Sequence, residues 1–127
     1  MSDATGEASR IRLVVDGDVV TAIVVDDQLL DPAAVREFGD ELCSLVEELG
    51  HTKIVLDCSN LQYISSAALN KLAVLKKKLS AADGQLVLCG LTPAVSEVFV
   101  VTRLNQKFTI QTDERSAKEY IRGSETP

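Results

Sequence analysis

Two adjacent serines, Ser65 and Ser66, precede the small residues Ala67 and Ala68 and then Leu69. A hydrophobic strand-like stretch, Ile54 to Cys58, runs into this segment. Such a pattern reads as a helix N-terminus carrying exposed hydroxyls. The plain structural role is capping: Ser65 or Ser66 accepts a hydrogen bond from a free amide two or three residues on. The alanines would then let the helix pack closely on a sheet. The same geometry suits a second use. A phosphate on a serine at a helix start faces unpaired N–H groups and the positive end of the helix dipole. It would change the local charge by about -1.5 to -2. A surface that docks a partner when unmodified could be switched off this way.

The rest of the chain is poor in catalytic parts. The one histidine, His51, lies between a helix end and a strand and reads as a solvated linker residue. Spacing alone leaves a Ser-His-Asp set open. No Gly-x-Ser-x-Gly elbow and no phosphate-cradling glycine loop supports one. Asp16, Asp18, Asp26, Asp27 and Asp31 are close in sequence, but the ligand order of a calcium loop is absent. They read as solvated turn and cap residues. Cys43, Cys58 and Cys89 form neither a disulfide framework nor a zinc site and read as small buried hydrophobes. Lys76, Lys77 and Lys78 read as a solvated face, or more weakly as a docking surface for an acidic partner. No metal site and no cofactor motif is expected.

The elements that must position the serines follow from periodicity. The 127 residues suit one domain, and 46% are hydrophobic. Aromatic residues are only 4%, so the core must be built from Val, Leu, Ile and Ala. Ile11 to Val15 and Val19 to Val25 read as strands separated by an Asp16-Gly17 hairpin signal. Asp31-Pro32 opens a helix with an apolar stripe of Val35, Phe38, Leu42, Leu45, Val46 and Leu49, ended by Gly50. Ile54 to Cys58 is a third strand. A second helix from about Ser66 to Leu79 buries Ala68, Leu72, Leu75 and Leu79, with Asn70, Lys71, Lys77 and Lys78 outward. Leu86 to Cys89 is a fourth strand, apolar on both faces and therefore central. Thr92-Pro93 starts a third helix carrying Val95, Val98 and Phe99. Phe108 to Ile110 is a short strand. A last helix, about Glu114 to Ile121, packs Ala117, Tyr120 and Ile121. The order β-β-α-β-α-β-α-β-α predicts an α/β fold with a mixed, mostly parallel sheet covered by about four helices. Residues 1–9 and 123–127 read as flexible ends around a domain of residues 10–122.

The formal net charge of -6 argues against non-specific nucleic-acid binding, which needs clustered Lys and Arg. No apolar run approaches the ~20 residues of a membrane span. The first residues, MSDATGEASR, lack the apolar core of an export signal, so the cytoplasm is the expected location.

Residues 53 to about 110 resemble STAS domains of the anti-sigma factor antagonist family. The resemblance rests on Lys53-Ile54-Val55-Leu56-Asp57, on Leu61 and Tyr63, and on Ser66 with Leu69 three positions later. It continues through Gly84, Leu86-Val87-Leu88-Cys89, Leu91-Thr92-Pro93-Ala94-Val95, Phe99 and Leu104. The family pattern at the loop is Asp-Ser-(Ser/Thr)-Gly-Leu. Here it reads Ser65-Ser66-Ala67-Ala68-Leu69, so the resemblance places the phosphoacceptor on Ser66. Ser65 replaces the usual Asp and removes a carboxylate beside the acceptor. Ala68 replaces the usual Gly and adds a methyl group. Asp31 corresponds to the last residue of the family's Gly-Glu-(Leu/Ile)-Asp stretch.

The resemblance implies a STAS-like single domain and a regulator that is not an enzyme. It would bind an anti-sigma factor that is also a serine kinase, be phosphorylated by it and let go, and be reset by a phosphatase. No cofactor is implied, because the ATP belongs to the kinase. The implied partner surface comprises Asp31, Ser65, Ala67, Leu69 and Thr92 around Ser66. A monomer or weak dimer is expected. The alternatives are a non-phosphorylated STAS scaffold in a transporter-associated or stressosome-like complex, and a small enzyme or ligand binder using a cleft at the sheet edge.

Overall fold

The structure is a computed structural model that describes residues 10–123. The expected tail 1–9 and, apart from Gly123, the expected end 123–127 lie outside the described residues. A five-stranded sheet has the order β1-β2-β4-β6-β7. Its strands are β1 (Ile11–Asp16), β2 (Val19–Val24), β4 (Lys53–Asp57), β6 (Gln85–Cys89) and β7 (Thr109–Gln111). β1 pairs antiparallel with β2, and all other neighbours in this sheet are parallel. Two further strands of two residues each, β3 (Gln28–Leu29) and β5 (Tyr63–Ile64), pair with each other in parallel. The helices are α1 (Pro32–Glu47), α2 (Ser66–Ala81), α3 (Pro93–Val101) and α4 (Glu114–Gly123). The mixed, mostly parallel α/β fold expected from the sequence is therefore the fold observed. Helix α4 runs to Gly123, one residue past the expected domain end.

The strand order explains which face each helix covers. From β2 the order steps steadily through β4 and β6 to β7, each step joined by a helix. Crossovers between parallel strands share one hand, so α1, α2 and α3 fall on the same face. The alternation of side chains along each strand matches this division. Val20, Ala22 and Val24 of β2, Ile54 and Leu56 of β4, and Leu86 and Leu88 of β6 pack with Phe38, Leu42, Leu72, Leu75, Val95 and Phe99. The intervening Val19, Val55, Val87 and Cys89 meet only Ala117 and Ile121 of α4. Phe99 and Phe108 close the larger core edge to face, with ring centroids 5.8 Å apart.

Several details differ from the sequence reading. The hairpin loop is Gly17–Asp18, one residue later than Asp16-Gly17, with Gly17 at φ +65°. Positive φ at the first loop residue alone is the pattern of a type II′ turn. Helix α1 ends at Glu47, so Leu49 leaves the apolar stripe and is exposed. Gly50, at φ +72°, turns the chain and lets the His51 amide donate to the Leu45 carbonyl at 2.8 Å. Lys71 and Lys78 are half-buried rather than outward. Gly39 of α1 leaves room for the Lys71 stem to lie across it. Lys78 Nζ reaches Glu47 of α1 at 2.6 Å. Tyr120 is exposed, because the narrow apolar stripe of α4 holds only Ala117 and Ile121. Cys58 and Cys89 are buried, but Cys43 is only half-buried.

The aspartates between residues 16 and 31 do not converge. Strand β2 separates Asp16 and Asp18 from Asp26, Asp27 and Asp31 by its length, roughly 17 Å. Asp16 binds Lys118 and Arg122, Asp18 binds Lys53, and Asp26 binds Arg10.

Candidate functional site

Strands β2, β4 and β6 all end at the same side of the sheet, and α1, α2 and α3 all begin there. Open α/β sheets place their binding sites at this carboxyl end of the strands. Each helix start uses a different residue. The Asp31 carboxylate accepts from the Ala34 amide at 3.0 Å and caps α1. The Ser65 hydroxyl accepts from the Ala68 amide at 3.1 Å and caps α2. Thr92 opens α3 without a side-chain cap, and its hydroxyl instead donates to the Leu61 carbonyl at 2.8 Å. Thr92 thus ties the loop before α2 to the start of α3.

The small β3–β5 ladder locks the first two loops together. Gln62 and Tyr63 amides donate to the Asp27 carbonyl at 2.7 and 3.2 Å, and the Ser65 amide donates to the Leu29 carbonyl at 3.0 Å. Buried Leu29 and Ile64 anchor the ladder to the core. The Asn60 side-chain amide donates to the Val24 carbonyl at 3.2 Å, fixing the far side of the loop to β2. The ladder thereby holds the Asp31 cap of α1 and the Ser65 cap of α2 at the same end of the sheet.

Ser66 is exposed at the first position of α2. With Ser65 serving as the cap, the Ser66 hydroxyl makes no hydrogen bond among the described residues. The Ala68 amide is taken by the Ser65 side chain and the Leu69 amide by the Ser65 carbonyl. The Ser66 and Ala67 amides belong to the first turn, where intrahelical acceptors are missing. An anion on the Ser66 oxygen would therefore face the amide donors of this first turn.

Of the six residues singled out in sequence, Asp31, Ser65, Ser66, Ala67 and Thr92 gather on this rim. Leu69 does not present itself there: it is 4% exposed and belongs to the core. Three residues after Ser66, its side chain turns under the first helical turn toward the sheet, so it supports the rim rather than touching a partner. Two exposed apolar side chains complete the surface and were not among the six. Leu30 is 48% exposed and Tyr63 58% exposed, one beside each strand of the small ladder. Their signal was strand alternation: Leu29 and Leu30, like Tyr63 and Ile64, are neighbouring apolar residues that must point opposite ways.

The cysteines offer no reactive thiolate at this rim. Burial pushes the Cys58 thiol far above its ordinary value. Burial, then the carboxylate of Asp57, pushes Cys89 up to about 12. Burial also raises Cys43, with Lys78 opposing.

Comparisons with known proteins bear on the fold and the family. The family model for the STAS domain matches residues 10–117. BtrV of Bordetella bronchiseptica, whose name places it with the anti-sigma factor antagonists, is 31% identical over 103 residues, covering 81% of this chain and 85% of that protein. The crystal structure of protein tm1081 of Thermotoga maritima, named for the same role, superposes with a TM-score of 0.79 at 23% identity, covering 91% of this chain and 97% of that one. SpoIIAA of Bacillus in its phosphorylated form superposes with a TM-score of 0.66 at 19% identity, covering 87% of this chain and 98% of that one. The two structural likenesses speak to the fold, while the family model and BtrV speak to ancestry. The chain belongs to the STAS-domain family of anti-sigma factor antagonists.

Proposed function

We propose that this protein is a partner-switching regulator that binds an anti-sigma factor with serine-kinase activity through the rim of helix starts. Phosphorylation of Ser66 ends the complex, and a phosphatase restores it. The observation that carries this reading is the exposed Ser66 hydroxyl, left without a hydrogen bond among the described residues because Ser65 does the capping. Leu30, Tyr63 and Ala67 offer apolar contact around it. A phosphoryl group there would place about two negative charges in a contact that the partner must desolvate. In the transfer itself the γ-phosphoryl group passes from ATP to the Ser66 oxygen, and the hydroxyl proton leaves to a base of the kinase. The protein contributes position, not catalysis.

Intact-mass measurement after incubation with the cognate kinase and ATP tests the switch. The expected result is one added phosphoryl group on the wild type and none on Ser66→Ala. Equal labelling of both would remove Ser66 from the acceptor role. Affinity capture from the native cell tests the partner: recovery of transporter or scaffold subunits without a kinase would favour the scaffold alternative.

A further inference from the structure

Among the described residues β1 is an unpaired edge of the sheet, and we propose that it pairs antiparallel with β1 of a second copy of this chain, joining two sheets into one. The Val25 amide donates to the Arg10 carbonyl at 3.0 Å, which fixes the parity of the β1–β2 ladder. Arg12, Val14 and Asp16 then exchange hydrogen bonds with β2, while the N–H and C=O groups of Leu13 and Val15 point away from the sheet. Edge strands are usually blunted by charges, Pro or a bulge. β1 has no Pro and no bulge, its two charges Arg12 and Asp16 are of opposite sign, and it exposes Leu13, Val14 and Val15 at 38%, 42% and 63%. The opposite edge, β7, is only three residues long.

Charge selects both the occupant and the register. With Val14 facing Val14 of the second copy, Leu13 faces Val15 and their outward groups exchange hydrogen bonds. The same register sets Arg12 opposite Asp16 twice, once on each side of the two-fold axis. An unrelated edge would have to accept both charges, whereas this strand read backwards matches them. Asp16 meets Lys118 and Arg122 through Oδ2, so Oδ1 faces no cation in those two pairs. β1 runs antiparallel to β2, and the exposed Leu13 to Asp16 stretch lies toward the end of the sheet away from the Ser66 rim. The dimer leaves both rims open, so its failure and failure of the phosphorylation reading are separate results.

Cysteine cross-linking of the full chain reads the register. Facing Val14 residues occupy a non-hydrogen-bonded pair with Cα atoms about 4.5 Å apart, within the disulfide range of about 4.4–6.8 Å. Leu13 residues would sit diagonally, roughly 8–9 Å apart and out of reach. Under mild oxidation Val14→Cys is expected to form a covalent dimer, while Leu13→Cys and the wild type, with its own three cysteines, stay uncross-linked. Sedimentation should show a concentration-dependent wild-type dimer that Arg12→Glu weakens by about tenfold or more. A wild type that remains monomeric up to about 1 mM overturns the proposal. So does a dimer indifferent to Arg12→Glu, or Leu13→Cys cross-linking as readily as Val14→Cys.

Discussion

Ser65 and Ser66 are the same residue type in adjacent positions, yet they do different work. The Ser65 hydroxyl is held by the Ala68 amide, and the Ser66 hydroxyl points to solvent. Capping at 65 is what leaves 66 available. Leu69 and Tyr63 form a comparable contrast among the apolar residues. Leu69→Ala should destabilise the fold by about 2–5 kcal/mol, because it empties a core position. Tyr63→Ala should leave the melting temperature nearly unchanged and weaken kinase binding. Calorimetric melting beside a binding titration separates the two, and a stable Leu69→Ala variant would contradict its place in the core. The thiols give a second residue-scale test. Cys58 and Cys89 should resist a thiol reagent until the protein unfolds, since burial holds both protonated. Half-buried Cys43 should react first. Fast labelling of Cys58 in the folded protein would contradict the packing.

At the scale of elements, the rim depends on two caps and one tie. Ser65→Ala and Asp31→Ala should each cost about 1 kcal/mol through loss of a helix cap. They should differ in the kinase assay. Asp31→Ala removes a carboxylate from the rim and is expected to alter the rate of phosphoryl transfer, whereas Ser65→Ala frays the turn that presents Ser66. Single-turnover kinetics with the cognate kinase, read against urea denaturation, distinguishes a charge effect from a stability effect. Identical rates for Asp31→Ala and the wild type would show that the carboxylate plays no part.

At the scale of the molecule, α4 stands apart. Among the described residues it alone covers the second face of the sheet, through Ala117 and Ile121 and a polar clasp. Glu114 accepts from the buried Thr21 hydroxyl at 2.9 Å and from Lys118 at 3.0 Å, and Lys118 also meets Asp16 at 3.1 Å. Lys118, then Arg122, holds the Asp16 carboxyl below its ordinary range. Lys118, then Thr21, does the same for Glu114. Glu114 in turn raises Lys118. The carboxylates' contribution is complete above their unfolded values near ~4 and is lost as pH falls through the lowered folded values. The Lys118 contribution is complete below ~10.4 and is lost only as pH rises through its raised folded value. Thermal melting of the wild type should therefore hold level between about pH 5 and pH 8, fall in acid, and fall again above about pH 8.5, where unfolding lets the buried Cys58 and Cys89 thiols ionise. Lys118→Met should lower the plateau and flatten the acid limb. Parallel curves for the two proteins would show that the clasp contributes nothing.

Periodicity and turn chemistry alone determined most of the architecture. The apolar stripes of α1 and α2, the doubly apolar β4 and β6, and the Pro-led helix starts at Pro32 and Pro93 each follow from local spacing, and local spacing survives folding. The serine segment was legible for the same reason: a strand, two hydroxyls and small residues mark a helix start wherever they occur. Tertiary structure decided what depends on pairing across distance. The β3–β5 ladder has two residues per strand, too few for any period, and exists only because two loops meet. That meeting holds the Asp31 and Ser65 caps at one end of the sheet. Which apolar side chains stay exposed there, Leu30 and Tyr63 but not Leu69, also depends on what packs against each of them. The split of the aspartates was implicit in the strand Val19 to Val25 that separates them, whereas the joining of two loops more than thirty residues apart depends on chain folding and could not be read from local spacing.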